Sequence, residues 1–135
     1  RLFGRQPDVR PWNIGIQHPR AADGDTTLLA TVHLDDGAIS TSGDYQRYFF
    51  ADGVRYHHLL NPATGYPQDL CRSVTVIAPS AAATDAFATG IFILGPDKGI
   101  AALERLGMDG VIVARDGAVL MTRGIKDKVK LLDTP

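Results

Sequence analysis

Apolar and polar residues alternate from Trp12 to His18 and stop at Pro19, the two-residue period of a half-buried strand that ends in a turn. A polar, glycine-containing connection follows at Arg20 to Thr26. Leu28 to Leu34 and Ala38 to Thr41 then predict two strands joined as a β-hairpin by Asp35-Asp36-Gly37, where glycine supplies the positive φ of a tight turn. Tyr45 to Phe50 and Val54 to Leu60 predict a second pair around Ala51-Asp52-Gly53, with aromatic and branched residues on either side of the turn. Ser73 to Ala78 is a short β-branched run that stops at Pro79. Ser80 caps a helix that begins at Ala81 and runs, alanine-rich, to Leu94. Gly95 predicts a left-handed C-terminal cap, and Pro96 the first turn of another helix reaching about Leu106 before Gly107. Val111 to Ala114 and Ala118 to Thr122 form a last hairpin across Arg115-Asp116-Gly117, leaving Gly124 to Pro135 as a short terminal segment. Hairpins with grouped helices predict an α+β fold, an antiparallel sheet with packed helices, and exclude an alternating βαβ order.

Composition leaves that picture intact and narrows the partners. The chain has 135 residues, 44% hydrophobic and 21% charged, the proportions of a globular domain with a real core. Nothing in it repeats beyond the Asp-Gly turns, and no linker divides it, so residues 1 to 135 read as one unit. Fourteen basic against fifteen acidic side chains give a formal charge of −1, and no basic run tracks a phosphate backbone, which argues against nucleic acid as a partner. Cys71 is the one cysteine, so it forms no internal disulfide and reads as a packed side chain. No apolar run approaches the roughly 20 residues that span a bilayer. Arg1 to Arg5 reads as the middle of a protein, which makes the chain a fragment or processed product in expectation.

Three segments carry candidate chemistry. Thr41-Ser42-Gly43-Asp44-Tyr45 gathers small polar residues where a strand meets a hairpin; this is first of all turn composition, and only second a set of hydroxyls and amides able to face a ligand. Tyr56-His57-His58-Leu59-Leu60-Asn61-Pro62-Ala63-Thr64-Gly65-Tyr66-Pro67 runs from a strand into an Asn-Pro and Thr-Gly turn. Adjacent strand residues point to opposite faces, so the two histidines do not form a paired metal clamp. With an ordinary pKa of about 6.5, a histidine serves as base, acid or hydrogen-bond donor, but an isolated strand histidine is more often structural, the reading kept for His57. The third segment, Ala81 to Gly90, sets Asp85 and Thr89 four residues apart on one helix face. Their carboxylate and hydroxyl oxygens suit a hard cation such as Mg²⁺ among small alanines. Taken alone, they read first as a helix N-terminal carboxylate and a hydroxyl bonded back to the preceding turn.

In this order, the three segments resemble the ApbE family of FAD:protein FMN transferases, also described as thiamine-biosynthesis lipoproteins. The resemblance rests on Thr41 to Tyr45, on His58-Leu59-Leu60-Asn61-Pro62 with Thr64-Gly65 and Pro67, and on Thr84-Asp85-Ala86 with Ala88-Thr89. Trp12, Ile14-Gly15-Ile16 and Pro19 fit the family's preceding strand, and Leu94-Gly95-Pro96 the segment after the helix. It covers the C-terminal part of the family's single domain and implies a T-fold-like α+β architecture, incomplete at its N-terminus, with further FAD contacts and a main-chain metal ligand in an upstream part.

Carried over residue by residue, the resemblance implies that Asp85 and Thr89 bind Mg²⁺. His58 and Leu59 lie against FAD, with His58 next to the chemistry, and Thr41, Ser42 and Gly43 support the pocket. The implied reaction is attack of a threonine hydroxyl of a flavoprotein acceptor on the FMN phosphorus of FAD, with release of AMP. Hydrolysis of FAD to FMN and AMP, a non-catalytic FAD-binding protein and an inert fragment are the alternatives. The family also implies a periplasmic lipoprotein, attached to the membrane only through a lipid anchor outside this chain.

Overall fold

The burial of one strand on both faces organises the chain. The computed structural model describes residues 2, 6, 10–22 and 25–132; the Arg1 to Arg5 reading, apart from Leu2, lies outside these residues, as do 23–24 within the Arg20 to Thr26 connection and 133–135 of the terminal segment. In chain order the elements are β1 (Trp12–Gln17), β2 (Leu28–Leu34), β3 (Ala38–Gly43), β4 (Tyr48–Ala51), β5 (Val54–His57), β6 (Cys71–Ala78), α1 (Ala81–Leu94), α2 (Pro96–Arg105), β7 (Asp109–Ala114), β8 (Val119–Met121), a 3₁₀ turn (Arg123–Lys128) and β9 (Val129–Leu131). All strand pairs are antiparallel, in sheets ordered β1-β2-β9 and β3-β6-β7-β8 and a separate β4-β5 ribbon. The architecture is therefore α+β, as expected.

Side-chain alternation explains the layers. On the four-stranded sheet, Ile77, Val111 and Val113 point one way and join Ile16, Ala30, Val32, Leu34 and Ile125 in a core shared with the first sheet. Val74, Val76 and Ile112 point the other way and join Ala88, Ile91, Phe92 and Leu103 of the two helices. The result is sheet, sheet and helices in successive layers, with β6 in the middle. Phe92, Val74, Val76 and Leu103 are all fully buried, and truncating a core aromatic of this kind costs about 3–5 kcal/mol.

The hairpin expected across Asp35-Asp36-Gly37 does not form. β2 pairs with β1 and β9, while β3 pairs with β6 from Ala38 opposite Ala78 to Gly43 opposite Ser73. The turn is instead a corner between sheets, because pairing β2 with β3 would leave the apolar faces of β2 and β6 without their present covers. The terminal segment also differs from expectation. Ile125, fully buried, anchors the 3₁₀ turn to the inter-sheet core, and Val129 to Leu131 close the edge of β2. The Ala51 to Gly53 hairpin does form, but its first strand begins at Tyr48. Asp52 and Gly53, at φ 50° and 74°, both take the left-handed conformation that a two-residue hairpin turn requires.

Ser80 caps α1 as expected, its hydroxyl accepting from the Ala83 N–H at 3.4 Å. Gly95 ends the helix with φ 84° and ψ 174°, so the expected left-handed cap is replaced by an extended ψ at positive φ, a region open essentially to glycine alone. Its N–H still bonds to the Ile91 carbonyl at 3.2 Å, and a Cβ there would meet Leu70 Cδ1 at 2.7 Å. Pro96 then starts α2. Gly90, in contrast, sits inside α1 with open space where a Cβ would project. Urea unfolding is expected to show Gly95→Ala destabilised by about 1–3 kcal/mol and Gly90→Ala stabilised by about 0.5–1 kcal/mol. Equal midpoints for the two variants would contradict this account of the helix junction.

Candidate functional site

The site follows from α1 lying across the helix-facing side of β3 and β6. On β3, Ser40 and Ser42 face the helix while Thr41 faces the sheet core, since successive strand residues alternate. Ser40 Oγ meets Thr84 Oγ1 at 2.9 Å, and one helical turn on Ser42 Oγ meets Thr89 Oγ1 at 3.2 Å. Thr84 is buried and its hydroxyl also donates to the Ala81 carbonyl at 2.9 Å. Thr84 is thus a structural member of its motif, and Thr89, exposed, is the one whose hydroxyl opens to solvent. Asp85, one turn before Thr89, is exposed and has no hydrogen bond or ion pair among the described residues. A free carboxylate beside two hydroxyls is a set of hard oxygen donors, which fits Mg²⁺ with the remainder of its shell filled by other oxygens. Among the described residues no three His, Cys, Asp or Glu side chains converge on a metal position.

The Thr41 to Tyr45 segment divides accordingly. Thr41 Oγ1 bonds with Thr75 Oγ1 at 2.8 Å, across the β3-β6 pair and away from Thr89. Gly43 is buried beneath the Tyr45 ring, which lies where a Cβ would stand. Asp44, also buried, is forked by Arg20 at 2.7 and 2.6 Å; burial and the Asp44 charge together raise the Tyr45 pKa. Ser42 is therefore the residue of this motif whose side chain meets Thr89, and its neighbours hold the strand end in place. The Arg20–Asp44 pair carried no sequence signal, because its members lie on different turns.

The two histidines have opposite fates. His57 is buried against Phe92, ring centroids 5.7 Å apart and nearly perpendicular. Its Nδ1 accepts from the Leu59 N–H at 3.2 Å, and its Nε2–H donates to the Gln68 carbonyl at 3.1 Å. Both ring nitrogens are used, so a neutral His57 has no lone pair left for chemistry. Burial lowers its pKa, against the opposing pull of the Asp44 charge. His58 is exposed, and its Nδ1 lies 3.3 Å from the Arg47 carbonyl. A carbonyl only accepts, so Nδ1 carries the hydrogen in that bond and Nε2 keeps a free lone pair. Leu59 is 4% exposed and belongs to the helix–sheet core, so its side chain anchors the segment that presents His58.

The following turn is closed on itself. Asn61 Oδ1 accepts from Ala63 N–H at 2.9 Å, the Gly65 N–H returns to Asn61 O at 2.8 Å, and Asn61 N–H bonds Tyr66 O at 2.8 Å. Gln68 ties the turn to the helix by donating to Ile93 O at 2.7 Å. Motif residues distant in sequence thus converge around α1. Among them, the structure directly joins Ser42 with Thr89; the bonds of His58 go to Arg47. Cys71 is buried and its pKa is pushed up to about 12 by burial, which keeps it a thiol at neutral pH and removes it as a nucleophile. A cavity of about 360 Å³ between Leu34, Gly37, Ile77 and Ile125 is lined by none of these motif residues.

The match of the ApbE family model to residues 1–112 is decisive. The chain belongs to the ApbE family. It is 40% identical over 124 residues to the FAD:protein FMN transferase of Treponema pallidum, a match covering 90% of this chain and 34% of that protein. Its fold superposes on the ApbE protein of Thermotoga maritima with a TM-score of 0.83 at 39% identity, covering 93% of this chain and 40% of the other. Against the flavinyl transferase ApbE of Pseudomonas stutzeri the TM-score is 0.70 at 38% identity, with 93% and 39% covered. The chain thus spans roughly a third to two fifths of these ApbE proteins.

The buried, neutral His57 makes a stability prediction. Unfolded histidine takes up a proton near about pH 6.5, whereas folded His57 resists it. The unfolded state therefore binds more protons below that pH. The stability that neutral His57 contributes is complete above about pH 6.5 and is lost as pH falls through its lower folded-state pKa. Urea midpoints are expected to fall on acidification from about pH 7.5 to about pH 5, with a flatter slope in His57→Gln. The same slope in both proteins would assign the acid sensitivity to other groups.

Proposed function

We propose that this chain forms part of the active site of a magnesium-dependent enzyme that transfers FMN from FAD to a threonine hydroxyl of an acceptor flavoprotein and releases AMP. The observation that carries the reading is the Ser42–Thr89 hydroxyl contact at 3.2 Å beside the Asp85 carboxylate, which has no partner among the described residues, within a chain whose relatives are named FAD:protein FMN transferases. Family members from several bacteria share that name, which favours flavin transfer over the other reactions such a site would support.

Asp85 and Thr89 would hold the cation, with Ser42 orienting the Thr89 hydroxyl. A cation bound there would neutralise charge on the pyrophosphate oxygens. The threonine Oγ forms a bond to the FMN phosphorus as the pyrophosphate P–O bond breaks, and AMP leaves with that oxygen. His58 Nε2 accepts the hydroxyl proton, a role open to it because Arg47 O engages Nδ1 and because the His57 nitrogens are both occupied. Leu59 and the Asn61 to Pro67 turn hold His58 in position. The location that accompanies this reading is the periplasmic face of the membrane, through a lipid anchor in the full-length form.

Incubating the full-length protein with FAD, Mg²⁺ and a candidate acceptor tests the reaction. Flavin fluorescence that stays with the denatured acceptor is expected; free FMN with an unlabelled acceptor would identify a hydrolase, and FAD retained without AMP a binding protein. His58→Asn is expected to lower transfer by about 10²- to 10⁴-fold while FAD still binds, and full activity in that variant would remove its role as base. Asp85→Ala is expected to shift the magnesium titration of transfer to higher concentration. An unshifted curve would remove Asp85 from the cation site.

A further inference from the structure

Apart from Ser42, His58, Asp85 and Thr89, a cleft of about 340 Å³ opens where the β4-β5 turn, the start of β6 and the β7-β8 turn meet. Arg20, Arg55, Arg72 and Arg115 line it together with Asp44 and Asp69. The two carboxylates are already engaged: Asp44 is forked by Arg20, and Asp69 is paired with Arg115. Arg55 and Arg72 have no carboxylate partner among the described residues. Two guanidinium charges therefore remain unmatched around one concavity, and low-dielectric walls focus such a field on an incoming anion.

Both guanidiniums are held in place before any ligand arrives. Arg55 lies 3.9 Å over the Tyr48 ring and donates to the Asp44 carbonyl at 3.4 Å. Arg72 donates through Nε to the Arg115 carbonyl at 2.9 Å, which leaves its terminal N–H groups free to fork an oxyanion. Preorganisation of this kind reduces the entropy lost on binding. The buried Cys71 and His57 that complete the wall add no negative charge. Tetrahedral phosphate oxygens match guanidinium forks in geometry and carry more charge than a single carboxylate.

We propose that this cleft is a binding site for a phosphate group, either free phosphate or the phosphate of a nucleotide, built by Arg55 and Arg72 and distinct from the Ser42–Asp85–Thr89 surface. Calorimetric titration of the chain without divalent cations, using inorganic phosphate, AMP and glutamate in turn, tests it. Phosphate is expected to bind with an affinity that falls as salt rises, and glutamate at least about tenfold more weakly. Tighter binding of AMP than of phosphate would identify a nucleotide as the source, and equal binding the free anion. Arg55→Gln and Arg72→Gln are each expected to weaken phosphate binding by about tenfold or more. Arg72→Lys, which keeps the charge without the fork, should recover part of that loss, and Asp85→Ala should leave the affinity unchanged. No phosphate binding at about 10 mM, undiminished affinity in both glutamine variants, equal affinity for glutamate, or an equal loss in Asp85→Ala would each overturn the proposal. Circular dichroism of each variant separates loss of binding from loss of fold.

Discussion

Covering β6 on both faces is the constraint from which the rest of the structure follows. Val74 and Val76 require an apolar layer on one side, and Ile77 requires another on the opposite side. The first need brings α1 and α2 onto the sheet through Ala88, Ile91, Phe92 and Leu103. The second brings the β1-β2-β9 sheet against it through Ile16, Val32 and Leu34. A strand buried in this way cannot leave polar groups unpaired, and β6 meets that demand by pairing with β3 and β7 along its two edges and by matching Thr75 with Thr41.

The candidate site is a by-product of this packing. Once Phe92 and Ile91 seat α1 on the sheet, the hydroxyl rows of β3 and α1 must meet, and Ser40–Thr84 and Ser42–Thr89 are two successive contacts of the same register. The inner pair, with Thr84 buried and Ser40 half-buried, holds the helix, while the outer pair reaches solvent beside Asp85. The same seating divides the histidines. His57 packs on Phe92 and satisfies the backbone at both nitrogens, and this fixes the chain so that His58 emerges on the exposed side. A buried histidine and an exposed one are adjacent because β5 ends at His57 and the chain bends at His58.

Elements governed by local chemistry were legible in the residues. Ser80, Gly95 and Pro96 marked both helices, and Asp52-Gly53 and Asp116-Gly117 marked two hairpins that form. Asp35-Asp36-Gly37 bore the same signature and proved to be a corner between sheets, since a turn constrains only the chain that passes through it and does not choose a strand's partner. Val129 to Leu131 lacked any comparable signal. That strand exists because the free edge of β2 accepts it and Ile125 is buried just before it.

The residues alone supplied the motif segments whose order resembles the ApbE family, and helix spacing placed Asp85 and Thr89 on one face. Only the tertiary structure decided that Ser42, and not Thr41, meets Thr89; that Leu59 is an anchor in the core; and that Arg55 and Arg72 share a cleft without carboxylate partners among the described residues. These are facts about which surfaces are buried against each other. Such contacts join residues far apart in sequence, and local periodicity carries no term for them.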